Sequence, residues 1–437
     1  MAQESTTRKN SVNDVDVPQI QIPLFKAITF LAILYLLFFF DFAVRVGIGP
    51  LLPLIQKDLQ LTDAQLGLIN TVVLVGMAVF VLPLSYLSDR WSRKKSVFMM
   101  ATIWSACTII SSFATRFSVF IAARFGLGVG ESSYNPTSTS LISTWFKKSA
   151  WGKVLGIYGT SMPMGIIGGS LFCGYMGGVA GWRNTILMLG IPSLIIGFFA
   201  LLLPDYKAKT KSEDGSVTTA QVSLKNAAST IFKNKTLLKV YLAFGFSTIG
   251  SSTIMAWFSV YCVRVLGTDI PKAGMLFAIL ALVAAISFPI SGLFIDRFSK
   301  LSRGVQMYIG AGETFLTACF YGAGFYFQSL PLIYIGVFFD MSYVVINYMS
   351  TQELVPVWFK AVAFGGMVFF QQLLGSLGPW LTGVISDKSN LIYGLAFIQI
   401  AYLICTVIYI WAAMTYKRDY QIARDEEEAS GLQMSQV

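Results

Sequence analysis

Four charged residues of the sequence lie within long apolar runs, where ionised side chains are rare. Asp41 and Arg45 are four residues apart, so they share one face of a helix. Arg124 and Glu131 are seven residues apart and share a face in the same way. Because a charge inside a membrane costs several kcal/mol, such residues are usually paired and functional. The spacing therefore favours a charge network in which a proton or a substrate competes for the pairs.

This network would have to carry any proton chemistry. The chain contains no histidine, so carboxylates are the groups left for proton transfer near neutral pH. The proton affinity of a carboxylate depends on its burial and on a neighbouring guanidinium, so breaking a pair would change proton binding. The alternative is a permanent structural pair that holds two helices together.

Other polar and aromatic residues in apolar runs are candidates for a substrate cavity. Gln371 and Gln372 need partners for their amide groups, and hydrogen bonds between helices are the commoner explanation for such residues. For each of the others, packing within the helices or a position facing lipid is the alternative. They are Tyr134, Asn135, Ser161, Trp257, Asp340 and Asn347.

The composition requires an apolar solvent. Hydrophobic residues make up 55% and charged residues 12% of the 437 positions, whereas about 25% of a soluble domain is charged. The five cysteines lie far apart without zinc-ligand spacing, so we predict no disulfide framework, metal or cofactor. No Walker A motif and no nucleophile–base pair occurs, so we predict that the chain is not an enzyme.

Twelve apolar runs are long enough to span a bilayer as helices, which predicts an all-α integral membrane protein with two six-helix halves. The predicted spans are 27–55, 65–87, 96–115, 118–145, 152–179, 183–203, 237–264, 272–294, 305–327, 331–356, 361–386 and 392–416. The corresponding organisation is a tail 1–26, a half 27–203, a linker 204–236, a half 237–416 and a tail 417–437.

The basic residues predict the orientation. Most lysines and arginines fall on the two tails, the linker and the loops that share their side, which places both termini in the cytoplasm. This topology also explains the isoelectric point of about 9.2 without a nucleic-acid partner.

A repeated segment indicates that the two halves are duplicates. Residues 85–94 read SYLSDRWSRK and residues 291–300 read SGLFIDRFSK, each after the second span of a half. Such repeats are typical of transporters whose halves are related by an axis along the membrane normal. Asp89 could cap a neighbouring helix N-terminus and latch one conformation, and simple anchoring at the membrane edge is the alternative. The latch candidates are Asp89, Arg90, Arg93, Asp296 and Arg297.

Over its whole length the chain resembles the major facilitator superfamily. Residues 85–94 are similar to the superfamily pattern G-x-L-a-D-R-x-G-R-K, with Ser85 and Ser92 at the glycine positions. Arg124 to Gly128 is similar to its R-x-x-x-G, and residues 156–169 are a loose form of its Gly-Pro-Gly-Gly region. The resemblance implies a monomer that works by alternating access, with spans 1 and 4 lining a central cavity.

Two branches of the superfamily are similar to this chain. Residues 128–136 read GVGESSYNP, which resembles the G-V-G-E-A-S-Y of the spinster-like branch, whose members are associated with lysolipids and sphingolipids. Trp182 and Arg183 are shared with the anion:cation symporter branch, which carries small organic acids. Both branches usually place Asp directly before the Arg of span 1. Here Val44 precedes Arg45, and the acid is Asp41, one turn earlier.

We therefore predict a secondary active transporter that is coupled to protons and moves an amphiphilic lysolipid- or sphingolipid-type substrate. A proton-coupled symporter of small organic acids or sugar acids is the first alternative, because Arg45 and Arg124 can pair with a carboxylate. A receptor or scaffold that has lost transport is the second. The expected partners are the lipid bilayer, the substrate and protons. The absence of targeting motifs favours a multi-pass protein of a bacterial inner membrane.

Overall fold

The computed structural model describes residues 22–205, 234–299, 302, 304–356 and 359–429, except for the side chains of Asp89, Lys148, Ser299, Ser342, Ala361 and Ala429. These residues form helices and short connections, and none of them forms a strand. Most of the predicted N-terminal tail and linker, and the end of the predicted C-terminal tail, lie outside the described residues.

Eight helices form the N-terminal half. They are α1 Leu24–Arg45, α2 Leu52–Leu59, α3 Asp63–Arg90, α4 Arg93–Ser112, α5 Phe117–Glu131, α6 Tyr134–Trp145, α7 Trp151–Gly159 and α8 Ser161–Phe199. Short 3-10 turns lie beside these helices at Gly49–Leu51, Lys148–Ala150 and Ala200–Leu202.

Eight further helices form the described part of the C-terminal half. They are α9 Lys235–Arg264, α10 Ile270–Ser299, α11 Val305–Tyr326, α12 Leu330–Asp340, α13 Ser342–Glu353, α14 Lys360–Gly375, α15 Leu377–Lys388 and α16 Leu391–Ala429.

Seven helical segments of the described chain are long and apolar enough to cross a membrane. They are Leu24–Leu59, Asp63–Ser88, Trp151–Leu202, Lys235–Arg264, Ile270–Phe298, Leu330–Glu353 and Leu391–Glu428. The 52-residue segment contains two predicted spans. Gly181 interrupts it with φ 77° and ψ 165°, a conformation that glycine adopts without strain.

Four predicted spans are not among the seven segments. The spans 96–115 and 305–327 form single helices, α4 and α11. The span 118–145 is divided between α5 and α6, and the span 361–386 between α14 and α15. A proline follows each division, at Pro136 and Pro379, in the first turn of the new helix, where its missing N–H group removes no hydrogen bond within that helix.

The helix starts follow local sequence signals. Thr62 and Gln65 form a capping box at α3, in which Thr62 Oγ1 accepts from Gln65 N at 3.2 Å and Gln65 Oε1 accepts from Thr62 N at 3.0 Å. Ser92 caps α4 by accepting from Lys95 N at 3.2 Å. Asn234 caps α9 by accepting from Leu237 N at 2.9 Å. These three helices therefore begin where the sequence places cap residues.

The two halves meet along two equivalent helix pairs. The second long helix of the N-terminal half, α3, packs on α15 of the C-terminal half, and its counterpart α10 packs on α8. Glycines bring these pairs together: a Cβ atom built on Gly174 of α8 would lie 2.9 Å from the Cα atom of Gly274 of α10. The interface between the halves thus depends on the absence of side chains.

Gly174→Ala should destabilise the protein, whereas Gly178→Ala on the same helix should not. The methyl group at residue 174 would collide with α10, and overpacking of this kind costs about 1–3 kcal/mol. A Cβ atom at residue 178 would have its nearest contact at 3.6 Å, from Pro271 Cγ, so the higher helix propensity of alanine should stabilise it by up to roughly 1 kcal/mol. Thermal unfolding in mild detergent measures both. Equal effects of the two variants would show that the close approach does not exist in solution.

Candidate functional site

The four charged residues singled out in the sequence come together between α1 and α5. Arg45 Nε lies 3.4 Å from Glu131 Oε2. The carboxyl group of Asp41 interacts with both Arg45 and Glu131. Asp41 and Glu131 are each 3% exposed and Arg124 is 1% exposed. The charges are therefore held against one another inside the helix packing.

Arg124 also binds the end of α1. Its NH1 and NH2 groups donate to the backbone oxygens of Val44 and Arg45, both at 3.3 Å. The last carbonyl groups of a helix have no partner within the helix, and they attract a cation. Arg124 thus fixes the position at which α1 ends, in agreement with the structural alternative, while it shares the buried site with the two acids.

The residues that resemble the spinster-like motif position Glu131. Helix α5 ends at Glu131, the backbone leaves helical geometry at Ser133, and α6 begins at Tyr134. The Tyr134 hydroxyl donates to the backbone oxygen of Leu34 in α1 at 2.7 Å. Its ring packs edge-on against Trp104, whose indole N–H donates to Ser193 Oγ at 2.8 Å. Buried aromatic contacts therefore hold the interrupted helix against α1 and α8.

Arg45 is the member of the network that reaches the boundary between the halves. Its side chain is 13% exposed, whereas that of Glu131 is fully buried. Its guanidinium stands over the Phe42 ring at 4.2 Å, and NH1 donates to Met77 Sδ at 2.9 Å. Gln372 Nε2 of the C-terminal half approaches the same sulfur at 3.6 Å. A thioether is a weak acceptor, so an anionic oxygen would bind this guanidinium better.

A second polar cluster joins the halves at one end of the molecule. We call it the polar clasp, and it consists of Gln56, Asp63, Arg264, Ser386 and Asp387. Arg264 NH1 donates to Asp63 Oδ1 at 2.8 Å and to Oδ2 at 2.9 Å, and its NH2 donates to Gln56. Ser386 Oγ donates to Asp63 Oδ2 at 2.5 Å. Gln56 Nε2 of the N-terminal half donates to Asp63 Oδ1 at 2.7 Å, so the carboxylate of Asp63 accepts from donors of both halves.

Asp387 completes the clasp by capping a helix of the other half. Its Oδ1 accepts from Asp63 N at 2.7 Å, and its Oδ2 accepts from Ala64 N at 2.9 Å. A carboxylate at a helix N-terminus satisfies unpaired N–H groups and complements the helix dipole. Sequence reasoning did not assign a role to these residues. The capping box marks the start of α3, but nothing near it indicates a partner 324 positions away.

The predicted latch at the opposite end stays a prediction. The side chain of Asp89 lies outside the described part of the structure. Arg90 is exposed and stands over the Tyr86 ring at 4.4 Å. Arg93 is buried, whereas Asp296 and Arg297 are exposed.

Several cavity candidates lie in the helix packing instead. Ser161 Oγ donates to the backbone oxygen of Tyr158 at 2.5 Å, and the Trp257 indole donates to that of Pro379 at 3.0 Å. Both side chains are buried, as is that of Tyr134. Asn135 is exposed. A cavity role for these four residues stays a prediction.

The remaining candidates lie in two places, the boundary between the two halves and the interior of the C-terminal half. Gln371 and Gln372 are half-buried on α14, and Gln372 is the one that approaches Met77. Asn347 is buried and donates to Tyr343 O at 2.7 Å and to the Tyr409 hydroxyl at 2.5 Å. Asp340 is also buried and accepts from two tyrosines. Within the described chain, the cysteine and acidic side chains do not gather into a group that could hold a metal ion.

The profile of the Major Facilitator Superfamily matches residues 31–379. The chain belongs to this superfamily. It is therefore a multi-pass membrane protein and a transporter by descent rather than an enzyme, as the sequence predicted.

Curated transporters of two kinds of substrate are similar to this chain. A probable sulfoacetate transporter of Cupriavidus necator is 24% identical over 301 residues, which cover 64% of this chain and 69% of that protein. A sphingosine-1-phosphate transporter of Danio rerio is 23% identical over 433 residues, which cover 90% of this chain and 84% of that protein.

A solved structure shares the fold. It is a bacterial homolog of the human lysosomal transporter Spinster in an inward-facing, unoccupied conformation. Its TM-score is 0.78 at 17% identity, and the match covers 90% of this chain and 98% of that chain. The predicted all-helical fold of the superfamily and the similarity to spinster-like proteins are confirmed.

Asp387→Ala should open the end of the molecule that the polar clasp closes. The variant loses the cap of α3, which costs about 1 kcal/mol, equivalent to roughly a fivefold shift in a conformational equilibrium. The reporter is a Ser259→Cys substitution, with the five native cysteines replaced, because Ser259 is buried close to Gly49 of the other half. A membrane-impermeant maleimide should label it several-fold faster in the Asp387→Ala background.

Asp269→Ala is the matched control. Asp269 caps α10 within its own half, since it accepts from Lys272 N at 2.9 Å. It should weaken a helix start to a similar extent without changing the labelling rate. Faster labelling in both variants would mean that general loosening, and not the contact between the halves, exposes residue 259.

Proposed function

We propose that the protein is a secondary active transporter that works by alternating access, is coupled to protons and carries a substrate with an anionic group. The observation that carries the proposal is the position of Arg45. Its guanidinium is the one part of the buried network that reaches the boundary between the halves, where a weak sulfur acceptor and Gln372 face it. A carboxylate, sulfonate or phosphate oxygen in place of the sulfur would bind the guanidinium through charge-assisted hydrogen bonds.

Proton coupling follows from the two acids beside Arg45. Asp41 and Glu131 interact directly, and two carboxyl groups in contact tend to hold one proton between them because like charges repel. An anion on Arg45 would compete with Glu131 for the guanidinium. Glu131 would then lose part of its counter-charge and bind a proton more readily. Anion and proton would thus occupy the network together and leave it together.

The contacts between the halves support alternating access. A barrier that closes one end must be able to break, and the polar clasp consists of hydrogen bonds and one ion pair rather than continuous apolar packing. With both termini in the cytoplasm and twelve crossings, the clasp lies on the outer side and the structure is closed to the outside. The division of Trp151–Leu202 at Gly181 is consistent with two crossings in that segment. We place this monomer in a bacterial inner membrane.

Two substrate classes share the proposed anionic group. One is an amphiphile of the lysolipid or sphingolipid type, which the resemblance to spinster-like proteins and the sphingosine-1-phosphate transporter favour. The other is a small organic or sugar acid, which the probable sulfoacetate transporter favours. Both classes would bind Arg45 through the same kind of anionic group, so the structure alone does not distinguish them and an experiment must.

Thermal unfolding of the purified protein against a ligand panel tests the anion site. One arm contains small carboxylates and sulfonates, and the other contains lysophospholipids and sphingoid phosphates beside uncharged detergents of equal chain length. A ligand at a hundred times its Kd stabilises the folded state by about 2.7 kcal/mol. We expect a saturable shift from anions of one arm, and the arm identifies the substrate class.

Arg45→Ala should abolish that shift, whereas Arg424→Ala, at an exposed site near the end of α16, should retain it. If both variants respond like the wild type, Arg45 does not bind the anion. A protein that no anion stabilises would support the receptor or scaffold alternative.

Glu131→Gln should separate proton coupling from transport. In proteoliposomes that contain the ligand found above, the variant should exchange substrate across the membrane but fail to accumulate it in response to a pH gradient. Glutamine keeps the size of the side chain but cannot take up a proton. Glu428→Gln, at an exposed position near the end of α16, is the control and should accumulate substrate normally. Gradient-driven accumulation by Glu131→Gln would exclude Glu131 as the coupling residue.

A further inference from the structure

The duplication of the halves extends to the acidic motif. Residues 131–134 read Glu-Ser-Ser-Tyr, and residues 340–343 read Asp-Met-Ser-Tyr. They lie in the fourth predicted span of each half, at equivalent places. Asp340 is therefore the counterpart of Glu131, and Tyr343 is the counterpart of Tyr134.

The structure repeats the same arrangement at both places. Helix α5 ends at Glu131 and α12 ends at Asp340, so each acid lies where the span is interrupted. Each tyrosine then contacts the first helix of its half. Tyr134 binds the backbone of α1, and the Tyr343 hydroxyl lies 2.8 Å from Ser251 Oγ of α9. The equivalence thus holds in geometry as well as in sequence.

The partners of the two acids differ. Glu131 has guanidinium groups beside it, whereas Asp340 accepts from the Tyr402 hydroxyl at 2.6 Å and from the Tyr321 hydroxyl at 3.2 Å. Asp340 is 1% exposed. The titratable groups that face it are uncharged acids: Tyr321 of α11, Tyr343 of α13, and Tyr402 and Cys405 of α16. Among the described residues, no lysine or arginine forms an ion pair with it.

A negative charge at this place is costly, and a cation that neutralises it lowers that cost. The side chain is buried, and it lies at the C-terminal end of α12, where the helix dipole opposes a carboxylate. The hydroxyl groups bind the carboxylate directly, so a metal ion does not lie between these oxygens. Transporters also bind coupling cations at interrupted helices, through the backbone carbonyl groups at the C-terminal end of a half-helix. A proton is the cation that fits.

We propose that Asp340 is a second proton-binding site of the protein, separate from the network around Glu131. The two tyrosines serve both of its forms. The protonated carboxyl group donates to one hydroxyl oxygen and accepts from the other, and the carboxylate left after proton release accepts from both. The proton can therefore leave without stranding a buried charge that lacks hydrogen bonds. This site does not involve the anion position at Arg45.

Infrared spectroscopy of the purified protein tests the site without any substrate. A buried protonated carboxyl group has a carbonyl stretching band that is distinct from the bands of ionised carboxylates and of amides. We expect such a band in the wild-type protein, its absence in Asp340→Asn, and its reversible loss as the pH rises while the protein stays folded. Asp387→Asn, which changes an aspartate of the polar clasp, should retain the band. The Glu131→Gln spectrum identifies any contribution from the other network.

Tyr402→Phe keeps the test decisive if Asp340→Asn fails to fold. It removes one hydrogen bond from the carboxyl group and should shift the frequency of the same band. A spectrum unchanged by the substitution of either residue would overturn the proposal. A band that does not respond to pH over the whole range in which the protein is folded would also overturn it. Such a band would show that the carboxyl group never releases its proton.

Discussion

The low polarity of the helix interior decides where the buried charged side chains of the described chain find their partners. An ionised group there must find an opposite charge, a helix end or several hydrogen-bond donors. Arg124 satisfies the rule by binding the carbonyl groups at the end of α1, and Glu131 satisfies it beside Arg45. Asp387 satisfies it on the amide groups at the start of α3. Backbone groups at helix ends therefore stabilise the buried charges of this protein as much as oppositely charged side chains do.

Much of the fold was predictable because it follows from local rules. Apolar runs indicate the helices, the duplicated Asp-Arg segment indicates two halves, and the spacing of the four charged residues indicated a charge cluster. The structure brings these side chains together, and their role stays a prediction. The polar clasp was not predictable, because its members are ordinary polar residues at helix ends and become partners only when the halves meet. The burial of Trp257 was also beyond the sequence, since an apolar run does not indicate which of its faces meets a neighbouring helix.

The two halves use the same backbone plan with different electrostatics. The acid of the first half lies among guanidinium groups, which can hold an anion. The acid of the second half lies among tyrosine hydroxyls, which donate hydrogen bonds to it but carry no positive charge. A duplicated scaffold thus offers two chemically distinct sites at equivalent depths. Substitution of the residues around the acid is enough to produce that difference, because the helix interruption itself is retained in both halves.

The cap that Asp387 forms determines which substitutions the contact between the halves can tolerate. Its acceptors bind main-chain amide groups, which every amino acid except proline supplies. One side of this contact is therefore nearly immune to mutation, while the other side depends on a single carboxylate. A lineage could replace Ala64 with almost any residue and keep this bond between the halves, but it could not change Asp387 so freely. The contact at this end is therefore sensitive to substitution mainly on the side of the C-terminal half.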